Sequence, residues 1–375
     1  MKNRFDVVVI GGGIIGCSIA YYLAKEKLNV AVMESQQIGS KATGAAAGML
    51  GAHSECNDLE IFYPFARESQ KTYAQVQEEI KELSGIDIEL REGGLLKLAY
   101  TESEKRSLNE ILTLPTVKWY SAEDVKKEIP TVSPTIIGAA YIEDDVTVLP
   151  TSVCHGFSRS AQLLGTSLFE YTTVTGIQKN GSSYLINTTK GSFEANYIVV
   201  ANGVWSSSFF KELGLEHQLT PIKGECLSVY SENISLKHTL FHDHSCIVPR
   251  NNGRLVIGAT QVVNEWNEKP NLNGIEALIA KAKTMLPAVA DMKLESFWAG
   301  LRPQTADQRP FIGPHPNDEN ILFATGHYRN GILLAPATAK MIRDFILKKE
   351  IRKDWVEAFK INRTCETSIS SFTTR

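Results

Sequence analysis

The feature that most constrains the fold is a glycine-rich turn near the start of the chain. Four β-branched residues, Val7 to Ile10, predict a short buried strand, and the following residues 11–16 (GGGIIG) fit the pattern G-x-G-x-x-G. A segment with helical spacing comes next, followed by a second predicted strand at 29–33 that ends at Glu34. Strand, glycines, helix, strand and acid arrive within about 30 residues, the length of one βαβ unit. This order favours a dinucleotide-binding unit over a glycine-rich turn in an unrelated α/β domain.

Each glycine of the pattern has its own task. Gly11 permits the tight turn, Gly13 lets the backbone approach a pyrophosphate, and Gly16 lets the helix pack closely on the strand. Glu34 would accept hydrogen bonds from ribose hydroxyls and would repel a 2′-phosphate. The pattern therefore disfavours NADP and leaves NAD and FAD open.

The apolar run itself has a second interpretation. Residues 7–24 carry no charged side chain, which also resembles a signal peptide or a membrane anchor. Asp6 precedes the run, and four of its residues are glycine, which weakens a membrane-spanning helix. We therefore expect no stable membrane insertion.

Charge and cysteine usage narrow the class of partner. Lys and Arg total 39 against 42 Asp and Glu, a formal net charge of −3, which argues against a nucleic-acid binder. Six scattered cysteines form no C-x-x-C pair, so we expect buried thiols of a reducing, cytoplasmic compartment and no metal site. A small-molecule pocket is the remaining expectation.

The rest of the chain is rich in predicted strands without regular helix alternation. Strands are predicted at 93–100, 220–230 and 255–260, and a long surface helix at 57–83. Residues 196–206 repeat the sequence of apolar strand, glycine turn and helix. A run of small residues at 43–52 either lies against a flat ring or a diphosphate, or forms a flexible connection.

Four segments together carry a family resemblance. They are residues 45–53 (AAAGMLGAH), 221–226 (PIKGEC), 242–244 (HDH) and 326–338 (GHYRNGILLAPAT). Through them the chain, from residue 1 to about 360, resembles the FAD-dependent amine and amino-acid oxidases of the D-amino acid oxidase and sarcosine oxidase group. The resemblance is strongest to the glycine oxidase type.

The resemblance implies a mixed α/β fold, in which a β-sheet domain is inserted into an FAD-binding domain. The FAD-binding domain would be Rossmann-like and discontinuous, with residues 1–85, 145–215 and 300–365. The inserted antiparallel or mixed β-sheet would bind substrate with residues 86–144 and 216–299. Residues 366–375 would form a mobile tail. Since no cysteine lies in residues 300–340, non-covalent FAD is expected.

The resemblance also implies where FAD would bind. The glycine turn would hold the diphosphate, Glu34 and Ser35 the ribose, and Val174 the adenine, while a helix from about Ile332 would stabilise negative charge on the reduced flavin. Ala42 departs from a basic or polar residue common in the family. The predicted cofactor-binding residues are Gly11, Gly13, Ile14, Ile15, Gly16, Glu34, Ser35, Ala42, Thr43, Ala46, Ala47, Gly48, Met49, Val174, His327, Tyr328, Arg329, Asn330, Gly331, Ile332 and Leu333.

For the substrate, the resemblance implies that Arg302 binds a carboxylate, a task that suits a planar guanidinium. The alternative is a structural arginine paired with a buried acid. Arg329 would be a second cation near the substrate or a partner of flavin carbonyls. Gly51, Cys246 and Gln261 would complete the substrate site. Cys246 and Gln261 replace the tyrosine and methionine of close relatives, which predicts a larger or wetter cavity and a shifted substrate range.

The implied reaction needs no acid–base residue. Hydride would pass from the substrate α-carbon to flavin N5, the imine would leave or hydrolyse, and oxygen would be reduced to hydrogen peroxide. The histidines 53, 242, 244 and 327 are expected to be hydrogen-bonded structural residues, and His242 and His244 to alternate along a strand, with one facing the pocket.

The implied function is the oxidation of glycine, sarcosine, D-alanine and similar small substrates, with the glycine imine supplied to thiamine thiazole synthesis. Two alternatives stay open: an FAD-dependent D-amino-acid dehydrogenase with another electron acceptor, and a non-enzymatic NAD-binding regulator. The family further implies a homotetramer.

Overall fold

Two large β-sheets organise the chain in the computed structural model, which describes residues 3–55 and 58–363. The strands are, in chain order, β1 (Arg4–Ile10), β2 (Val30–Met33), β3 (Met49–Leu50), β4 (Leu95–Ala99), β5 (Val117–Ser121), β6 (Gly138–Ile142), β7 (Val146–Thr147), β8 (Ser167–Phe169), β9 (Val174–Asn180), β10 (Ser183–Thr188), β11 (Gly191–Val200), β12 (Thr220–Tyr230), β13 (Thr239–His242), β14 (Ser245–Pro249), β15 (Arg254–Gly258), β16 (Val262–Val263), β17 (Lys293–Gln304), β18 (Phe311–His315) and β19 (Asp318–Thr325). The α-helices are α1 (Ile14–Lys25), α2 (Ala42–Ala45), α3 (Phe62–Ser84), α4 (Glu102–Ser107), α5 (Ala122–Glu128), α6 (Pro150–Leu163), α7 (Ser206–Glu212), α8 (Leu272–Met285), α9 (Gly331–Ile346) and α10 (Lys353–Phe359).

The first sheet has the order β18-β19-β11-β1-β2-β8, and β10 and β9 extend it from β11. Strand β1 pairs in parallel with β2 and β11, so the N-terminal strand lies near the centre. Val7 and Val9 pack into the cluster that contains α1, α6 and α9, whereas Val8 and Ile10 pack into a second cluster on the opposite face. Both faces are buried, which explains why this strand is a continuous apolar run.

The second sheet has the order β16-β12-β15-β14-β13-β4-β6-β5, and β17 pairs with the long strand β12. Its pairs are antiparallel except for β13 with β4. A parallel-centred sheet with helices on its faces and a largely antiparallel second sheet together confirm the predicted mixed α/β class. The two-domain division with a boundary at residue 300 stays a prediction, and β17 crosses that position.

Several elements differ from the sequence-based expectation. The predicted surface helix at 57–83 is α3, and it is half buried, because Phe65, Tyr73 and Ile80 pack into the core. The expected alternation of two histidines along one strand is wrong, since β13 ends at His242 and His244 lies in the following turn with φ of 61°. A tight turn between β13 and β14 therefore replaces the longer strand.

Some predictions fall outside the described residues, namely the tail at 366–375 and the environments of Cys56 and Cys365. The other four cysteines are free and buried, as expected. Within the described ranges, no helix combines the length and the apolar character that a bilayer crossing requires.

Candidate functional site

A cavity of about 520 Å³ runs from the glycine turn after β1 to the second sheet. It is bounded by the carboxyl ends of β1 and β2, the edge where α/β sheets place their ligands. The predicted site residues that line it are Gly11, Gly13, Ile14, Ile15, Glu34, Ser35, Ala42, Thr43, Ala46, Ala47, Gly48, Met49, Val174, Cys246, Arg302, His327, Tyr328, Arg329, Asn330, Gly331 and Ile332. Four predicted residues are not part of this lining: Gly16, Gly51, Gln261 and Leu333.

One end of the cavity is the glycine turn. A Cβ on Gly16 would collide with the carbonyl oxygen of Gly11, so Gly16 sets how closely α1 approaches β1. Gly13 caps α1 without a side-chain hydrogen bond, and the first turn of the helix contains no acidic residue. Thr43 Oγ1 accepts the Ile14 N–H at 3.0 Å and thereby holds the opposite wall against the helix. An anionic diphosphate fits this helix N-terminus.

Glu34 lies at the same end, directly after β2, and is only 9% exposed. Its Oε2 accepts the Gly12 N–H at 2.7 Å, and its Oε1 accepts the Gln36 N–H at 2.8 Å. These backbone donors fix the carboxylate at the cavity wall. A ribose hydroxyl can bind there, whereas a 2′-phosphate would meet a like charge.

The small-residue run is a clamped wall rather than a flexible connection. The Trp298 indole N–H donates to the carbonyl oxygen of Ala45 at 3.1 Å. The Arg250 guanidinium donates to the carbonyl oxygens of Val148, at 3.0 Å, and Ala47. Burial lowers the pKa of Arg250 to about 10. Residues on β17 and directly after β14 of the second sheet therefore hold this loop against the cavity.

The opposite wall is the start of α9. The helix begins at Gly331, one residue before the predicted start, and Asn330, Gly331 and Ile332 line the cavity. The Tyr73 hydroxyl donates to the carbonyl oxygen of Ile332, while Leu333 turns into the core. Since α9 has no side-chain cap and no acid in its first turn, its N-terminus favours negative charge in the cavity.

Arg302 lies on β17 and reaches into the cavity from the second sheet. Its Nη1 donates to the carbonyl oxygen of Thr260 at 3.1 Å. In residues 3–55 and 58–363, no carboxylate forms an ion pair with this guanidinium. Burial and the nearby Arg329 charge lower the pKa of Arg302. The structure thus disagrees with the alternative of a structural arginine paired with a buried acid.

Arg329 is the second cation of the cavity, and it already has a partner. Its Nη2 lies 2.7 Å from Glu55 Oε1, and its Nη1 lies 3.4 Å from His244 Nδ1. Burial opposes the charge, but Glu55 outweighs it and raises the pKa of Arg329. Glu55 therefore compensates most of the positive charge of Arg329. Arg302 is left as the guanidinium that can attract an anionic group.

Two thiols face the space beside Arg302. Cys226 on β12 and Cys246 on β14 are both register partners of Gly258, and all three residues line the cavity. Burial raises the pKa of Cys226 to about 11 and that of Cys246 to about 12, so both are protonated, small apolar groups near neutral pH. Gln261 is not part of the lining, and its Oε1 accepts a hydrogen bond at 3.4 Å from the hydroxyl of Tyr328, which is.

The histidines mostly have structural partners. His327 is buried with Nε2 3.0 Å from Thr338 Oγ1, and burial lowers its pKa to about 3, so the ring stays neutral. His53 Nδ1 is 2.8 Å from Asp145 Oδ1, and His242 Nε2 is 3.3 Å from Glu104 Oε1.

Gly51 packs beside Ser54 and Asp145, behind the cavity wall. No group of three or more His, Cys, Asp or Glu side chains suited to a metal ion is found in the described part of the chain.

Sequence reasoning missed part of the lining. Glu55, Phe241 and Cys226 line the cavity, as do residues 201–205 after β11. Residues 201–205 could have been predicted from the sequence, because they follow an apolar strand and contain a glycine turn. Glu55 carried none, since its role depends on a partner 274 residues away in the sequence.

Comparisons with known proteins agree with this geometry. The family model described as "DAO: FAD dependent oxidoreductase" matches residues 6–345. A glycine oxidase of Bacillus licheniformis is 52% identical over 363 residues, which cover 97% of this chain and 98% of that protein.

Two further matches extend the comparison. The crystal structure of glycine oxidase from Geobacillus kaustophilus superposes with a TM-score of 0.94 and 35% identity, covering 97% of this chain and 100% of that one. A bifunctional protein ThiO/ThiG of Synechocystis sp. is 33% identical over 376 residues, covering 98% of this chain and 55% of that protein.

Proposed function

This chain belongs to the FAD-dependent oxidoreductase family that also contains D-amino acid oxidase-type enzymes, and from that premise we propose that it oxidises glycine and other small amines or D-amino acids. The products are the 2-oxo acid, ammonia or an amine, and hydrogen peroxide. Sarcosine and D-alanine belong to the same substrate class. The glycine oxidases at 52% and 35% identity over nearly the whole chain support this choice of substrate and of oxygen as acceptor.

The observation that carries the proposal is the unpaired guanidinium of Arg302. A buried cation without a counter-ion is costly unless a ligand completes it. A substrate carboxylate matches the planar fork of the guanidinium and would supply the missing charge. The cavity joins this cation to a dinucleotide cradle, so a small acid bound at Arg302 lies in the same space as a cofactor held by the glycine turn.

The residues present fit FAD. The N-terminus of α1, which has no acidic residue in its first turn, suits the diphosphate. Glu34 suits a ribose without a 2′-phosphate, and the N-terminus of α9, which has no side-chain cap, suits a ring that gains negative charge. When bound, FAD supplies the acceptor for two electrons and passes them to oxygen. The remaining work of the chain is to fix the carboxylate and orient the α-carbon.

Positioning dominates over proton transfer in this cavity. His327 stays neutral and is bonded to Thr338, and both cavity thiols are protonated. Arg302 supplies the anchor for one end of the substrate, and orientation of this kind lowers the barrier without an acid or base. Gly51, Gln261 and Leu333 act in this proposal by supporting the wall behind the lining.

A peroxide assay across glycine, sarcosine, D-alanine and larger D-amino acids tests the proposal with the flavin-loaded protein. We expect oxygen-dependent peroxide release with small substrates. Reduction of an artificial dye by the same substrates without peroxide would instead indicate a dehydrogenase with another acceptor. Neither peroxide nor dye reduction with any of these compounds would refute the proposed reaction.

The wider setting is part of the proposal. The ThiO/ThiG relative supports a role in which the glycine imine feeds thiamine thiazole synthesis. We further propose a cytoplasmic homotetramer that binds FAD non-covalently and has no nucleic-acid partner. Light scattering of the purified protein measures the oligomeric state, and release of free flavin on denaturation measures the mode of attachment.

A further inference from the structure

We propose that Glu225 is a positioning residue for Arg302, and that it acts through Thr260. Glu225 lies on β12, next to Gly224, and points away from the cavity, whereas Gly224 lies in the lining. The inference rests on the proposed function, because it assigns the second layer of the site that binds the substrate carboxylate. It concerns a residue that touches neither substrate nor cofactor.

The starting point is how little holds Arg302. The hydrogen bond from its Nη1 to the carbonyl oxygen of Thr260 is the contact that orients its fork. Beneath the guanidinium lies Gly224, where a Cβ would come within 2.5 Å of Cζ of Arg302. The guanidinium therefore packs on the backbone of Gly224, where no side chain restricts it. The position of the Thr260 carbonyl oxygen then sets the orientation of the guanidinium plane.

Thr260 is in turn fixed by one residue. The Glu225 N–H donates to Thr260 Oγ1 at 2.8 Å, the Thr260 hydroxyl donates to Glu225 Oε2 at 3.1 Å, and the Thr260 N–H donates to the Glu225 carbonyl oxygen at 3.2 Å. Thr260 lies between the short strands β15 and β16, outside regular sheet pairing. These three hydrogen bonds take the place of the sheet hydrogen bonds that Thr260 does not make.

The Glu225 carboxylate is fully buried, and several groups hold it in place. Lys223 Nζ lies 3.0 Å from its Oε1, and the same oxygen accepts the Asn271 N–H at 2.9 Å. Asn271 is the N-cap of α8, and the carboxylate fills the space directly over Gly274 in the first turn. The N-terminus of α8 thus stabilises the negative charge of the Glu225 carboxylate. Glu225 in turn contacts Thr260, and the Thr260 carbonyl contacts Arg302.

The proposed consequence is specific for carboxylate binding. When Glu225 and Thr260 keep their bonds, the outer N–H groups of Arg302 stay aimed into the cavity for a bidentate contact. When these bonds are lost, the guanidinium can turn, and the fork no longer meets both carboxylate oxygens. FAD binding should not depend on this chain of contacts, because none of its members touches the dinucleotide cradle.

Thr260→Val is the cleanest test, since it removes the hydroxyl while the buried Lys223–Glu225 pair stays intact. The probe is acetate, titrated into the flavin-loaded enzyme and followed by the visible flavin spectrum. Acetate has the carboxylate and no oxidisable amine. Loss of hydrogen-bonded support predicts an acetate dissociation constant that rises about threefold to tenfold. Thr260→Ser, which keeps the hydroxyl, should recover the affinity of the parent.

Glycine kinetics give a second readout. We expect KM to rise by a similar factor in Thr260→Val and Glu225→Gln, with a smaller change in kcat and unchanged FAD content. Ser228→Ala is the matched control, because Ser228 also lies on β12 and bonds β17 through Ser296 at 2.8 Å, away from Arg302. It should keep the parent values.

The outcomes separate this inference from the proposed function. If Thr260→Val binds acetate as tightly as the parent, Glu225 does not position Arg302, whatever the enzyme oxidises. If the variant only melts at a lower temperature and its acetate affinity is unchanged, the contacts are merely structural. If the parent binds acetate but oxidises no amino acid, the proposed reaction fails while the positioning role is still measured.

Discussion

Replacing Arg302 with Met should weaken substrate binding without destabilising the ligand-free protein. Met keeps the length and apolar volume of the stem but removes the charge and the hydrogen bond to Thr260. In the free protein, that bond to a charged group contributes about 1.5–3 kcal/mol. Its loss is offset because a buried cation without a counter-ion costs several kcal/mol to desolvate. The free energy of unfolding should therefore change little or increase.

Binding should respond in the opposite direction. Removing one partner of a buried charge pair costs about 2–5 kcal/mol, much of which reflects the carboxylate that is left unpaired. That range corresponds to a rise of about 30-fold to 5,000-fold in the dissociation constant of a small amino acid. The content of bound FAD should not change, since Arg302 reaches the cavity from β17 of the second sheet, whereas the glycine turn and Glu34 follow β1 and β2 of the first sheet.

The measurements are peroxide release as a function of glycine concentration, the flavin content of the purified protein, and its thermal unfolding without substrate. Arg254→Met is the matched control, because Arg254 pairs with Glu295 at 3.0 Å on an exposed part of β15 and should show neither effect. A glycine KM within threefold of the parent value would refute the carboxylate assignment. A large loss of thermal stability would show that Arg302 holds the fold instead.

Three further predictions follow from other parts of the site. Glu34→Gln should weaken FAD binding about tenfold, because a charge-assisted hydrogen bond to the ribose becomes a neutral one, and an unchanged affinity in fluorescence titration of the apoprotein would contradict it. Burial lowers the pKa of His327 to about 3, whereas an unfolded histidine titrates near pH 6.5, so the unfolded chain binds more protons within this window. The free energy of unfolding should thus fall as pH falls from 6.5 towards 3, by up to about 1.4 kcal/mol per pH unit, and urea unfolding of His327→Gln at pH 6.5 and 4.5 should show a smaller fall than the parent. Cys246→Tyr should lower kcat/KM for D-alanine more than for glycine in the peroxide assay, because a ring would fill the space beside Arg302, and an unchanged ratio would place residue 246 outside the substrate space.

The parts of the site that the sequence could predict are those encoded by neighbouring residues. The strand, the glycine turn and Glu34 form one local unit, so their order and spacing predicted one dinucleotide-binding unit. In the structure Glu34 lies against the glycine turn and accepts the Gly12 N–H at 2.7 Å. The family resemblance also implied a helix from about Ile332, and α9 begins one residue earlier, at Gly331.

The contacts that could not be predicted depend on register between distant strands. Arg302 meets Gly224 because β12 and β17 pair with Ile222 opposite Arg302, and no local pattern fixes that register. The pair of Glu55 with Arg329 likewise joins two loops that the sequence separates widely. The turn at His244 was missed because two consecutive residues, Asp243 and His244, adopt positive φ and end a strand that their neighbours favour.

Strand β1 cannot complete its pairing until most of the chain has left the ribosome. Its neighbour β11 begins at residue 191, β11 in turn needs β19 at 318–325, and α1 is covered by α9 only after residue 331. At about 5–20 residues per second, the wait for β11 alone lasts roughly 10–40 s. During translation the apolar edge of Val7 to Ile10 is therefore exposed to neighbouring nascent chains, and holdase chaperones are expected to bind there before the cofactor does.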